Sequence, residues 1–130
     1  MILKGKKESG FVALITAIIL SFILIIVTTT LNQTSFFTRS ILLDSEYKER
    51  GAALAEACVD VARLKLANDP LYSGNEPAVP IGSDSCQIRP ITSNTIETRG
   101  VYQGSVTNLR VVVNPYPDLS IVSWEEIPSF

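Results

Sequence analysis

Between residues 11 and 38 the chain carries no Asp, Glu, Lys or Arg. The first part of this stretch, FVALITAIILSFILIIV, is almost unbroken apolar sequence. At about 1.5 Å per residue, a helix from Phe11 to Leu31 would be roughly 30 Å long, the thickness of a bilayer hydrocarbon core. Buried helices of soluble proteins are rarely so long and so free of charge, so the stretch predicts a transmembrane helix. Its polar groups before Asn32 are the hydroxyls of Thr16, Ser21, Thr28, Thr29 and Thr30. Each can bond back to a carbonyl one turn earlier, which makes it tolerable in lipid.

The flanks predict an orientation. Lys4, Lys6 and Lys7 directly precede the apolar run, and the first charge after it is Arg39. By the positive-inside rule the N-terminus stays in the cytoplasm and the C-terminal part is exported. After Val27 the sequence reads TTTLNQTSFF, which offers no small-residue cleavage site of the secretory type. A single-pass anchor in the cytoplasmic membrane is therefore expected rather than a removable signal.

Composition limits what the rest can do. With 130 residues the chain has room for one small domain besides the span. A net charge of −2 gives no reason to expect a nucleic-acid partner, and the absence of His removes the commonest acid/base group and metal ligand. Asp44, Glu46 and Glu49 alternate with Lys48 and Arg50 as on a solvated helix face. Glu125 and Glu126 point to opposite sides of any strand, and Ser105 has no His to activate it. There is no phosphate-binding glycine loop. No enzymatic activity, cofactor or metal site is expected.

The helix should continue well beyond the membrane. No Pro or Gly occurs between Phe11 and Arg50, and Gly51 is tolerable inside a helix at about 1 kcal/mol. Leu43, Tyr47, Leu54, Cys58 and Val61 form an apolar stripe, with Gly51 in the same seam, while Glu46, Glu49, Glu56, Asp60 and Arg63 fall largely off it. That period predicts a helix with one face on a core. Asn68-Asp69-Pro70 ends it, because Pro70 disfavours helical geometry at Asp69. Lys65 suits the negative end of the helix dipole. The expected helix has about 57 residues and a length of roughly 85 Å. Its weakest part is the polar, β-branched run 28–35.

Residues 70–84, with three Pro and two Gly, read as an irregular connector. Four β-rich runs follow, at 86–91, 95–103, 106–114 and 119–127. Gly104 makes a hairpin of the second and third, and Pro115-Tyr116-Pro117-Asp118 separates the third from the fourth. In the third run Thr107, Leu109, Val111 and Val113 share one face; in the fourth Leu119, Ile121 and Ile127 share a parity that excludes Trp124. The expected fold class is α+β: a long N-terminal helix packed on a small antiparallel meander. The expected organisation is a leader at 1–10, an apolar helical half at 11–38, an amphipathic half at 39–69 and a loop-and-sheet head at 70–130.

The two cysteines, Cys58 and Cys86, are far apart and form no CxxC, which argues against zinc or a redox motif. Cys58 lies on the core-facing stripe and Cys86 opens the first run. On an exported head they are a candidate disulfide; two buried free thiols are the alternative.

The segment Lys6-Lys7-Glu8-Ser9-Gly10-Phe11-Val12-Ala13-Leu14-Ile15 resembles the start of a type IV prepilin or pseudopilin. The resemblance covers the leader, the span and the long helix, about the first half of the chain. It implies that a dedicated membrane peptidase cuts between Gly10 and Phe11 on the cytoplasmic side and methylates the new amino group of Phe11. It also implies that the apolar helix packs inside a filament in a pilin-like fold. The implied partners are other pilin subunits, the prepilin peptidase, a membrane-embedded assembly platform and membrane lipid, and the implied destination is the pilus or cell surface. Most members carry Glu at the fifth mature position, where this chain has Ile15. The match is therefore to minor pilins and tip pseudopilins, structural subunits of type IV pili or related secretion machines. The alternative is a single-span anchored extracytoplasmic binding domain that never enters a filament.

Overall fold

A computed structural model describes the backbone from Ile2 and the side chains from Ser9 to Phe130; the leader's Lys4, Lys6 and Lys7 lie outside the described side chains. One helix, α1, runs Ile2–Asn68. The polar run 28–35 stays helical within it. Asp69 donates its N–H to the Lys65 carbonyl (2.8 Å), and Leu71 N–H bonds the Asp69 carboxylate (3.0 Å), so the chain turns away just before and after Pro70. The chain divides into two compact units, the first ending at Leu42 and the second running Leu43–Phe130.

In the second unit the helix packs on five antiparallel strands, an α+β arrangement: β1 (Glu76–Ile81), β2 (Asp84–Ile88), β3 (Thr95–Tyr102), β4 (Ser105–Val113) and β5 (Ile121–Ile127). Their order in the sheet follows the chain, β1-β2-β3-β4-β5, so the expected meander is present with one strand more than anticipated. The stretch expected to be an irregular connector contains β1. Pro77 and Pro80 broke the sequence pattern there, yet a strand bonded on one side only tolerates missing donors, and a register shift between Glu76 and Val79 absorbs the irregularity.

Turn chemistry sets the hairpins. Gln103 and Gly104 both have positive φ (48° and 81°), giving the two-residue connection whose twist suits β3 and β4. Ser93 and Asn94 (49° and 61°) do the same before β3. Between β4 and β5 the Tyr116-Pro117 bond is cis, and Asp118 N–H bonds the Pro115 carbonyl at 3.1 Å.

The core lies between the helix and one face of the sheet. Leu54, Ala55, Cys58, Val59 and Ala62 meet Val79, Cys86, Ile88, Ile96, Leu109, Val111 and Val113. The apolar stripe is thus wider and shifted relative to the sequence reading: Ala55, Val59 and Ala62 belong to it, Val61 is half-buried, and Leu43 is exposed. The parity expected for β4 holds, with Thr107, Leu109, Val111 and Val113 all buried. For β5 it does not. Val113 pairs with Ile121 and Val112 with Ser123, so an extra residue interrupts the ladder and reverses the alternation. Trp124 opposes Val111 and so shares the helix-side face, Ile127 opposes Asn108 on the other face, and Ile121 is exposed.

Gly51 and Gly100 let the helix and the sheet approach closely. A Cβ on Gly100 would lie 2.0 Å from the Gly51 carbonyl oxygen and 2.6 Å from the Ala55 nitrogen. One turn on, the buried Thr98 hydroxyl donates to the Ala55 carbonyl at 2.8 Å. The helix backbone is therefore docked directly on β3.

Candidate membrane anchor and processing site

Side chains from Ser9 to Leu43 in α1 are exposed throughout, including Phe11, Leu14, Ile18, Leu20, Phe22 and Leu24, each 60% or more accessible. Among the described residues one helix is long and apolar enough to cross a membrane, and its most apolar stretch has no buried side chain. Water is a poor solvent for such a surface and lipid a good one. The five hydroxyls in the span are internally satisfied. Thr16 donates to the carbonyl of Val12 or Ala13 (2.9 Å each), Ser21 to Ala17 (2.8 Å), and Thr28, Thr29 and Thr30 to carbonyls three and four residues earlier. None needs a partner from outside the helix to be stable in hydrocarbon.

Gly10 and Phe11 sit at the start of this surface. A Cβ on Gly10 would meet nothing within 4 Å, and Phe11 is exposed. Glycine weakens a helix by about 1 kcal/mol relative to alanine, so Gly10 lowers the local cost of unwinding. Ile15 is 40% accessible and places an aliphatic side chain one turn after Phe11.

The second unit holds the remaining residues singled out by sequence. Cys58 on the helix and Cys86 on β2 form a disulfide with a Cα–Cα distance of 6.1 Å, buried in the core. Glu125 and Glu126 serve opposite faces of β5: Glu125 accepts from Arg110 (3.0 Å), which also holds Glu97 (2.9 Å), while Glu126 is bonded by Lys48 of the helix. Glu46 pairs with Arg50 at 3.0 Å, and Arg50 donates to the Tyr102 hydroxyl at 2.9 Å. Both carboxylate neighbours hold Arg110 charged, as Tyr102 and Glu46 do Arg50. Among the described residues, no group of three or more acidic or Cys side chains is placed to hold a metal ion.

One cluster was not visible in the sequence. Lys65, in the last turn of α1, donates to both oxygens of Glu76 on β1 (2.5 and 2.7 Å), and the Tyr72 hydroxyl donates to the same carboxylate at 2.9 Å. These bonds, from Lys65 first and Tyr72 second, pull the Glu76 carboxyl below its ordinary pKa. Desolvation, and then the bond to Glu76, push the Tyr72 hydroxyl well above the usual tyrosine range. The cluster clamps the helix end to the edge strand. Its only sequence signal was the Lys at the helix terminus, since its acidic partner lay in a stretch read as loop. No family model, curated protein or solved structure matches this chain.

Proposed function

We propose that the chain is a minor type IV pilin or pseudopilin, a structural subunit that enters a pilus or a related secretion machine through its apolar helix. The observation that carries this reading is a Lys-rich leader ending at Gly10-Phe11 and running without a charged residue into an exposed, membrane-length helix. That the same helix then closes an antiparallel sheet in its second half agrees with it. In this reading the N-terminus faces the cytoplasm, a prepilin peptidase cuts between Gly10 and Phe11 and methylates Phe11, and an assembly platform lifts the mature subunit out of the lipid. The buried disulfide suits an exported, oxidising destination.

In this reading Ile15 supports a position at the filament tip. An acid at this position would offset the amino terminus of a neighbouring subunit in the apolar core, and a buried charge left without a partner costs several kcal/mol. Ile15 supplies no such partner, so entry beneath an existing subunit is disfavoured and a low-copy tip or initiating position is not. The mass of the mature protein tests the reading: loss of residues 1–10 with one methyl group on Phe11 is expected, and Gly10→Leu should block the cut. An intact leader on the wild-type chain would instead favour a membrane-anchored binding domain outside any filament. Immunogold label spread evenly along sheared filaments would refute the tip position.

A further inference from the structure

The face of the sheet turned away from the helix carries a polar cleft of about 420 Å³ along β2 and β3, lined by Ser83, Asp84, Ser85, Gln87, Arg99 and Val101. Arg99 is the cation of this cleft, and its position is set by a hydrogen bond and an aromatic ring. Its Nε donates to the Asn108 carboxamide oxygen on β4 at 2.8 Å. Asn108 is itself buried and donates its Nδ2 to the Pro128 carbonyl at 3.2 Å, which fixes its orientation. The Phe130 ring lies 4.8 Å from the Arg99 guanidinium carbon, and the guanidinium of Arg89 lies 4.5 Å from the same ring. Among the described residues Arg99 has no carboxylate partner, whereas Arg50 and Arg63 each have one and Arg110 has two.

A guanidinium whose Nε is engaged and whose plane is seated near an aromatic ring has its terminal nitrogens left for a ligand, the fork geometry that grips a carboxylate end-on. The rest of the lining decides what that carboxylate is attached to. Ser83, Ser85 and Gln87 are neutral donors and acceptors. Val101 gives a small apolar contact. We propose that this cleft binds an acidic sugar of the uronic-acid class, its carboxylate on Arg99 and its hydroxyls on Ser83, Ser85 and Gln87. The cleft lies within the second unit, so the proposal stands whether or not the chain enters a filament.

Titration of the isotope-labelled full chain in detergent micelles with glucuronate, glucose and acetate tests it by NMR. Saturable shifts of Gln87, Ser85 and the Arg99 side chain are expected with glucuronate, and binding at least tenfold weaker with glucose or acetate. Arg99→Gln should weaken glucuronate binding at least tenfold with the remaining spectrum unchanged, and Asn108→Ser, which loosens Arg99 without removing its charge, should weaken it several-fold. Should Arg99→Gln disturb the fold, Gln87→Ala provides the same comparison, with several-fold weakening expected. No saturable shift with glucuronate, equal binding of acetate or glucose, or unaltered glucuronate binding by folded variants would overturn the proposal.

Discussion

Gly51 and Gly100 face each other, yet they should respond very differently to one added methyl group. At Gly100 the new carbon would overlap helix backbone, which cannot swing aside, so Gly100→Ala should cost about 3 kcal/mol or more. At Gly51 the nearest atom to a new Cβ is the Ser105 carbonyl oxygen at 3.3 Å. A shift of a few tenths of an ångström relieves that contact, and the gain in helix propensity of about 1 kcal/mol works in the opposite direction. Thermal unfolding of the two variants should separate them clearly, Gly51→Ala staying near wild type. Thr107 offers the converse case. Its hydroxyl is buried against this same junction without a hydrogen-bond partner. Thr107→Val keeps the shape and removes an unsatisfied group, so a gain of up to about 1 kcal/mol is expected by the same measurement. Glu76 contributes a pH dependence. Its carboxyl is held below its unfolded value, which is about 4.3 for glutamate, so the stabilisation is fully present above that pH and is lost as pH falls through the folded value. The clamp is partly solvated, so the effect is modest. Melting temperature followed downward from about pH 5 should fall more steeply for wild type than for Glu76→Gln, with the difference gone at the acid end.

Among the elements, α1 was the most legible. Absence of charge marked its first half and a 3.6-residue period its second. The alanines of the buried face were harder to see, because Ala55 and Ala62 are buried for their smallness, and smallness alone does not mark a core position. Strands β3 and β4 and their Gln103-Gly104 turn followed the alternation rule because both lie inside the sheet, with a partner on either side. The two edge strands did not. Pro77 and Pro80 disguised β1, and the extra residue in β5 moved Trp124 to the helix side. Edge strands are where proline and bulges are permitted, so sequence pattern is weakest there for a physical reason. The cleft at Arg99 was invisible for another reason: its parts come from β2, β3, β4 and the residues after β5, and only cross-strand register assembles them. The proposed processing junction Gly10-Phe11 is local, so no fold is needed to bring its parts together. The disulfide joins α1 to β2 across a sequence separation of 28. In the chain-entropy model that loop gives roughly 3–4 kcal/mol, so the double variant Cys58→Ala/Cys86→Ala should lose about that much in denaturant unfolding at neutral pH.

At the scale of the whole molecule, every buried hydrophobic side chain among the described residues lies at or beyond Leu54, and all belong to the second unit. Stability and membrane affinity are therefore encoded in separate stretches of chain. A fragment of residues 43–130 should fold in water without detergent, keep its disulfide and melt within a few degrees of the full chain measured in micelles. Loss of the cooperative transition in that fragment would show that the apolar helix contributes to folding. The cysteine bridge has a further consequence, one of mechanics. If tension were applied between the apolar helix and the residues after β5, the load would run along α1 to Cys58, cross to Cys86 and continue through β2. Everything between the two cysteines, including the last turns of the helix, the Lys65–Glu76 clamp and strand β1, would be bypassed by a covalent shunt. While the bridge is intact, that part of the molecule cannot be drawn out, however hard the chain is pulled.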